Sequence, residues 1–207
     1  MELVETSYPT SQLAVSGPNQ GTVELFKAGG CKRYAEIGVY RGDTALQIAS
    51  HLDGEGEIHL FDFEDRVADV AARLRDAGHE NVVGHGNSRR LMDSYNWSLM
   101  SLLRDRSEPA FDYVFLDGVH TWGHDALAFL LADRLLAEGG YMDFDDYWWT
   151  IARSPSMGPE AFPAATKLYT AEQMEERQVA LVVNLLVRGD ARYEEVVENK
   201  AFRKVSA

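Results

Sequence analysis

Five times between about residue 30 and residue 150, this chain switches between a short apolar run and an apolar stripe at helical spacing. Tyr34–Ile37 is a run that ends at Gly38, and Ala45, Ile48, Ala49 and Leu52 then recur at i, i+3, i+4, i+7. Ile58–Phe61 is the second run; Val67, Val70, Ala71 and Leu74 repeat the stripe, with Gly78 placed to stop it. Asn81–Gly84 predicts a third strand and Leu91–Leu103 a helix. Phe111–Leu116 is a fourth strand. Leu127, Leu130, Leu131 and Leu135 mark a helix ended by Gly139-Gly140, and Tyr141–Phe144 is a fifth strand. Strand and helix in turn are the signature of an α/β protein: a parallel sheet covered by helices on both faces.

The pattern breaks after residue 150. Pro155, Gly158, Pro159 and Pro163 predict an irregular excursion over 150–170. Val179–Val187 reads as a long apolar strand, Gly189-Asp190 as a turn, and Arg192–Val197 as an antiparallel return. At the other end, residues 1 to about 20 are polar and carry Pro9, Gly17 and Pro18. With a short helix over Gly21–Gly30 they read as an N-terminal arm or lid, 1–30, on a single domain spanning 1–207, a length suited to one core.

Charge narrows the partners. Twenty basic against thirty-three acidic residues give a net charge of −13, which argues against nucleic acid and against an anionic membrane surface. No run approaches the ~20 apolar residues of a spanning helix. No secretory signal is visible at Met1–Thr6, and Cys31 is alone, so a reduced, cytoplasmic setting is expected. A homo-oligomer is compatible with the sequence.

The first loop predicts a nucleoside-type ligand. Glu36-x-Gly38-x-x-x-Gly42 lies where a strand turns into a helix, so its backbone can approach a ligand and the helix N-terminus offers free N–H groups. Asp62 follows Gly42 by twenty residues, in register to bind ribose hydroxyls, with Glu64 a nearby competitor. Tyr40 replaces the middle glycine of the dinucleotide pattern, which disfavours a pyrophosphate cradle and a nicotinamide dehydrogenase, and favours one ribose without phosphate. Asn87 and Ser88, after the third strand, either meet an adenine ring or cap the next helix.

The second cluster is acidic. Asp117-Gly118-Val119-His120 follows the fourth strand and Asp145-Asp146 the fifth. Consecutive strands usually lie side by side, about 4.8 Å apart, so these carboxylates should crowd the carboxyl edge of the sheet. Crowded carboxylates hold a proton or a cation, and oxygen ligands favour a hard ion such as Mg²⁺. His120 beside them suits a general base. A rival set takes His120, His124 and Asp117 as a zinc or iron site for a hydrolase or oxygenase. Asp143, inside the strand, is expected to be tied to an Arg or a backbone group. Tyr147, Trp148 and Trp149 either wall a pocket or pack the core edge.

Glu36–Gly42, Phe115–His120 and Leu136–Tyr141 through Asp145-Asp146-Tyr147 together resemble class I S-adenosylmethionine-dependent methyltransferases. The likeness is closest to the metal-dependent O-methyltransferases of the macrocin O-methyltransferase and cephalosporin-hydroxylase-like group, over roughly residues 30 to 150. The resemblance implies a Rossmann-like, mostly parallel sheet of seven strands whose last strand is antiparallel. It implies that Glu36, Gly38 and Asp62 line an S-adenosylmethionine site, which the loop reading extends to Gly42, Asn87 and Ser88. It further implies that Asp117, Asp145 and Asp146 hold Mg²⁺, and that His120 is the base in methylation of a small-molecule hydroxyl. A cofactor-binding module without catalysis is the other reading the same residues allow.

Overall fold

The computed structural model describes residues 17–206. Helix α1 (Gln20–Ala28) leads to strand β1 (Arg33–Ile37), α2 (Asp43–Leu52), β2 (Glu57–Phe63) and α3 (Glu64–Asp76). Then follow β3 (Val82–Asn87), α4 (Tyr95–Asp105), β4 (Phe111–Leu116), α5 (Trp122–Leu135) and β5 (Leu136–Phe144). After a 3-10 turn (Ile151–Arg153) come α6 (Ala165–Leu168), α7 (Ala171–Glu175) and α8 (Gln178–Val182). A π-helical turn (Val183–Val187) continues α8, and β6 (Tyr193–Val197) and β7 (Ala201–Lys204) close the chain. The seven strands form one sheet in the order β3-β2-β1-β4-β5-β7-β6. The first five are parallel; β7 runs antiparallel to both β5 and β6.

Local chemistry explains the element ends. Asn19 caps α1 by accepting the Thr22 N–H at 3.2 Å. Glu64 and Asp65 open α3 while Arg73 and Arg75 close it, charges that complement the helix dipole. Gly78, at φ 93°, then turns the chain out of α3 as expected. The central strands are apolar on both faces because helices cover both. Tyr34, Leu60, Tyr113 and Phe115 pack under α1, α2 and α3. Ile37, Phe61, Val114, Leu116 and Phe144 pack under α4, α5 and α8.

The C-terminal expectation needs correction. Val179–Val187 is helical, not a strand, and the return strand β6 pairs instead with β7. The buried residues Val179, Val182, Val183 and Val187 fall on one helical face against α5, while Asn184 and Leu185 face out. Packing of that face overrode the weak β preference of valine. Two smaller corrections concern α5. Its buried face is Ala128, Phe129, Ala132 and Leu135, leaving Leu127 and Leu130 exposed. Gly139-Gly140 does not end it: the chain passes straight from Leu135 into β5, and the glycines occupy a register shift within that strand. Helix α4 starts later than predicted, at Tyr95, capped by Ser94.

His59 of β2 and His85 of β3 find each other. Their rings stack, His59 Nδ1 lies 2.9 Å from His85 Nε2, and His85 stacks in turn on Phe61. Burial pushes both imidazoles down, His85 to about 4.

Candidate active site

Three strand ends meet at one point because the ladders are in register. Ile37 of β1 sits opposite Leu116 of β4, and Leu116 opposite Phe144 of β5. The residues that follow are Gly38, Asp117 and Asp145. Asp117 N–H donates to the Ile37 carbonyl at 2.8 Å, and Asp145 N–H to the Leu116 carbonyl at 3.1 Å. Gly38 takes φ 91°, and a Cβ there would lie 1.9 Å from the Asp117 carbonyl oxygen. Only glycine lets the two loops cross this closely.

Asp62 pins the first loop. Its Oδ2 accepts the N–H groups of Val39 at 3.0 Å and Tyr40 at 3.3 Å, and its Oδ1 accepts that of Phe63. Glu64 is exposed at the start of α3. Asn87 is buried with its Oδ1 unpartnered, while its Nδ2 donates to the Ser88 and Asp93 carbonyls. Because Ser94 caps α4, neither Asn87 nor Ser88 serves as that cap. Gly42, at φ 70°, is the N-cap of α2.

Glu36 lies behind this loop, buried, with the Tyr34 hydroxyl donating to it at 2.9 Å. Burial pushes its carboxyl up to about 8, Asp62 and Asp43 add to the rise, and the Tyr34 hydrogen bond opposes it. A carboxyl that holds its proton more tightly when folded leaves stability intact below about 4.5, its ordinary value. Stability is then lost as pH climbs from there to about 8. Glu36→Gln, neutral throughout, is expected to remove that loss. In guanidinium unfolding, its advantage over wild type should widen across that window, by an upper bound of roughly 3–5 kcal/mol. Parallel pH profiles for the two proteins would show that Glu36 ionises there without cost.

The acidic cluster assembles around His120. Its Nε2 is 3.3 Å from Asp146 Oδ2 and 3.7 Å from Asp117 Oδ1. One ligand atom from each of Asp117, His120 and Asp146 lies within 4.8 Å of the others. Asp145, expected as a third ligand beside Asp117 and Asp146, is not in that group: its Oδ1 accepts from Asn19 Nδ2 at 3.2 Å, though its charge still reaches Asp117. Asp117 keeps 31% of its side chain open to solvent, yet protein atoms crowd round it. That burial pushes its carboxyl well up, and the charges of Asp145, Glu36 and Asp146 push further, with Lys200 opposing. Asp146 is raised too, chiefly by burial. Such a set of oxygens, mutually repelling and only partly offset by Lys200, fits a hard divalent cation. The buried, unpaired Asn87 Oδ1 and the glycine crossing fit a nucleoside-bearing ligand.

Backbone strain gathers at the same place. His120 at φ 60°, Asp146 at φ 57° and Tyr40 at φ 43° are three of the five non-glycine residues with positive φ among those described. Strain of about 1–3 kcal/mol per residue persists where the surroundings over-determine it, typically at functional sites. The rival set with His124 is not assembled. Helix α5 begins only at Trp122, so His120 and His124 do not share a helical face, and His124 Nδ1 pairs with Thr121 Oγ1 at 3.0 Å.

Sequence reasoning missed several supports. Asn19 was expected in an arm, yet it caps α1 and holds Asp145. Lys200, from the β6–β7 turn, bonds Asp143 Oδ1 at 2.8 Å and Thr22 Oγ1 at 3.2 Å. Asp143 is therefore tied to a lysine and to the Thr22 and Tyr113 hydroxyls, not to an Arg. Trp149 flanks His120 with ring centroids 5.3 Å apart, whereas Trp148 is exposed under the Arg177 guanidinium.

The sheet order, the glycine crossing and the strand-end acids define a class I methyltransferase fold. Residues 35–147 match the model of a family described as "Methyltransferase domain", and the chain belongs to that family of S-adenosylmethionine-dependent methyltransferases. The fold is shared with an O-methyltransferase from Bacillus cereus solved in complex with SAH. The TM-score is 0.62 at 18% identity, covering 95% of this chain and 84% of that one. It is shared also with the O-methyltransferase TomG from Streptomyces achromogenes, solved with SAM (TM-score 0.58, 19% identity, 95% and 83% covered). A putative rRNA-methylase from Clostridium thermocellum is similar too (TM-score 0.59, 13% identity, 94% and 99% covered). No curated protein matches the chain in sequence. Among the described residues no helix is long and apolar enough to cross a membrane.

Proposed function

We propose that this methyltransferase transfers the methyl group to a hydroxyl of a small molecule, with help from a divalent cation. The observation that carries the reading is the convergence of Asp117, Asp146 and the His120 imidazole within 4.8 Å, beside the Gly38 crossing. Asp117, Asp145 and Asp146 would hold the ion, and Glu36, Gly38, Gly42, Asp62, Asn87 and Ser88 would line the donor's nucleoside end. When bound, the ion supplies Lewis acidity toward a substrate hydroxyl, one of a vicinal pair, and S-adenosylmethionine supplies an activated methyl group. His120 Nε2 faces the same space and accepts the hydroxyl proton, leaving an electron-rich oxygen for in-line attack. Trp149 offers a flat apolar wall next to that base, suited to an aromatic or sugar ring. The net charge of −13 and the acidic site favour a neutral or cationic acceptor of natural-product type in the cytoplasm.

The test is a pair of titrations on the pure chain, S-adenosylhomocysteine and Mn²⁺, followed by incubation with S-adenosylmethionine and a panel of catechols and sugar diols. Both ligands should bind. S-adenosylhomocysteine should form, stop in excess chelator and resume with Mg²⁺. Undiminished turnover in chelator removes the cation from the reading, and failure to bind S-adenosylhomocysteine removes the donor.

A further inference from the structure

The turn that carries His120 is anchored at both ends. Asp117 N–H donates to the Ile37 carbonyl at 2.8 Å, and the Thr121 carbonyl accepts the N–H groups of His124 at 3.1 Å and Asp125 at 2.8 Å. Between these anchors lie Gly118, Val119 and His120, the last at φ 60°. A residue with a side chain keeps that conformation when its surroundings hold it there. Tyr95, the first residue of α4, reaches this span from outside the loop. Its oxygen accepts the Val119 N–H at 3.4 Å. A Cβ on Gly118 would lie 2.6 Å from the same oxygen, so the hydroxyl sits in the crook of the turn, and the bare glycine lets it in.

The hydroxyl is itself aimed. It donates to Asp125 Oδ1 at 2.8 Å, and Asp125, in the first turn of α5, is fully buried. With its one proton committed to Asp125, the tyrosine oxygen keeps its lone pairs for the Val119 N–H. The ring is buried in the same core cluster as Leu99 and Leu116 and has little room to swing. Two helix N-termini are thereby tied to the turn whose ends supply Asp117 Oδ1 and His120 Nε2, 3.7 Å apart. A turn held at its ends alone would be free to twist about Gly118 and Val119 and to carry the imidazole away from Asp117 and Asp146.

We infer that the Tyr95 hydroxyl, aimed by Asp125, sets the spacing between His120 and Asp117. Tyr95 is a positioning residue: it acts through the Val119 N–H and not on the reacting atoms. The inference rests on the roles proposed above for Asp117 and His120 and names what holds those two groups in register. Tyr95→Phe is the direct probe, since it keeps the ring and its packing and removes the tie.

Amide hydrogen exchange of the whole protein reads the tie without any ligand. The Val119 amide should exchange slowly in wild type and roughly three- to tenfold faster in Tyr95→Phe, the worth of one hydrogen bond. The variant should also bind Mn²⁺ roughly tenfold more weakly and lose roughly ten- to a hundredfold in kcat, as when the support of a ligand is removed, with the acceptor KM little changed. Asp125→Asn keeps an oxygen for the hydroxyl and should stay near wild type, whereas Asp125→Leu should match Tyr95→Phe. Leu99→Ala, buried in the same core one turn further along α4, is the structural control: it should melt lower yet keep wild-type Mn²⁺ affinity and kcat. A Val119 amide that exchanges fast in wild type would overturn the inference. So would a Tyr95→Phe protein unchanged in exchange, Mn²⁺ affinity or kcat, or a Leu99→Ala or Asp125→Asn protein equally impaired in both binding and rate. Should Asp125→Leu fail to fold, Tyr95→Phe decides. Wild type that binds no Mn²⁺ or no S-adenosylhomocysteine sinks the reading proposed above, while exchange at Val119, which needs neither, still tells whether the hydroxyl holds the turn.

Discussion

Asp117→Asn is expected to abolish Mn²⁺ binding and to lower methyl transfer by roughly a thousandfold or more, while raising the melting temperature of the ligand-free protein. The three effects share one cause. Asp117 is the acid on which the others converge: burial lifts its carboxyl, and Asp145, Glu36 and Asp146 add to the rise. A group whose native state resists ionisation costs stability at neutral pH, so a neutral amide of the same shape relieves the fold. The same charge is what a cation would bind, and loss of several kcal/mol of charge stabilisation at the transition state corresponds to that fall in rate. Calorimetric melting with and without Mn²⁺ separates the contributions. Wild type should gain stability on adding the ion, and the variant should start higher and gain nothing. S-adenosylhomocysteine should bind both proteins alike, since Asp62 and the glycine loop are untouched. An Asp117→Asn protein that still takes up Mn²⁺ with wild-type affinity would detach the acids from any metal role.

Gly38→Ala is expected to destabilise the fold by roughly 3–5 kcal/mol and to remove cofactor binding. The added methyl would stand 1.9 Å from the Asp117 carbonyl oxygen and 2.7 Å from its carbon, and φ at 91° is itself unfavourable for a side chain. Backbone on both sides leaves nothing soft to yield. β1 is held through the Gly38 N–H to the Phe61 carbonyl, and β4 through the Asp117 N–H to the Ile37 carbonyl. Gly42→Ala supplies the contrast. Its methyl would meet Val70 Cγ1 at 2.3 Å, the end of a side chain that can turn aside, so a smaller loss is expected. At about 2–4 °C per kcal/mol for a chain of this size, Gly38→Ala should melt on the order of 10 °C lower. Wild-type melting together with normal S-adenosylhomocysteine binding would refute the argument from close crossing.

These two residues were visible in the sequence because they obey rules of position. Gly38 ends an apolar run and precedes a helical stripe, and Asp117 and Asp146 follow strands that are neighbours in chain and in space. The parallel core was legible for the same reason. The C-terminal third was not. Val179–Val187 is apolar at nearly every position, so its period is ambiguous, and only its packing on α5 decides for a helix. Ala-Phe-Arg-Lys of β7 is too short and mixed to stand out as a strand. Asn19, Lys200 and Asp125 were hidden because their partners lie in other elements, brought near only by the finished sheet.

Asn19 shows what such concealment means for how the chain can change. Its backbone N–H donates to Thr44 Oγ1, its side-chain oxygen opens α1, and its amide nitrogen holds Asp145. Two jobs fall to one small side chain, opening the helix and holding the acid, so selection on either acts on both. Drift at this position is therefore constrained twice over: a substitution that spares the helix start still disturbs the acid, whereas the backbone tie from the first helix to the second survives any residue but proline.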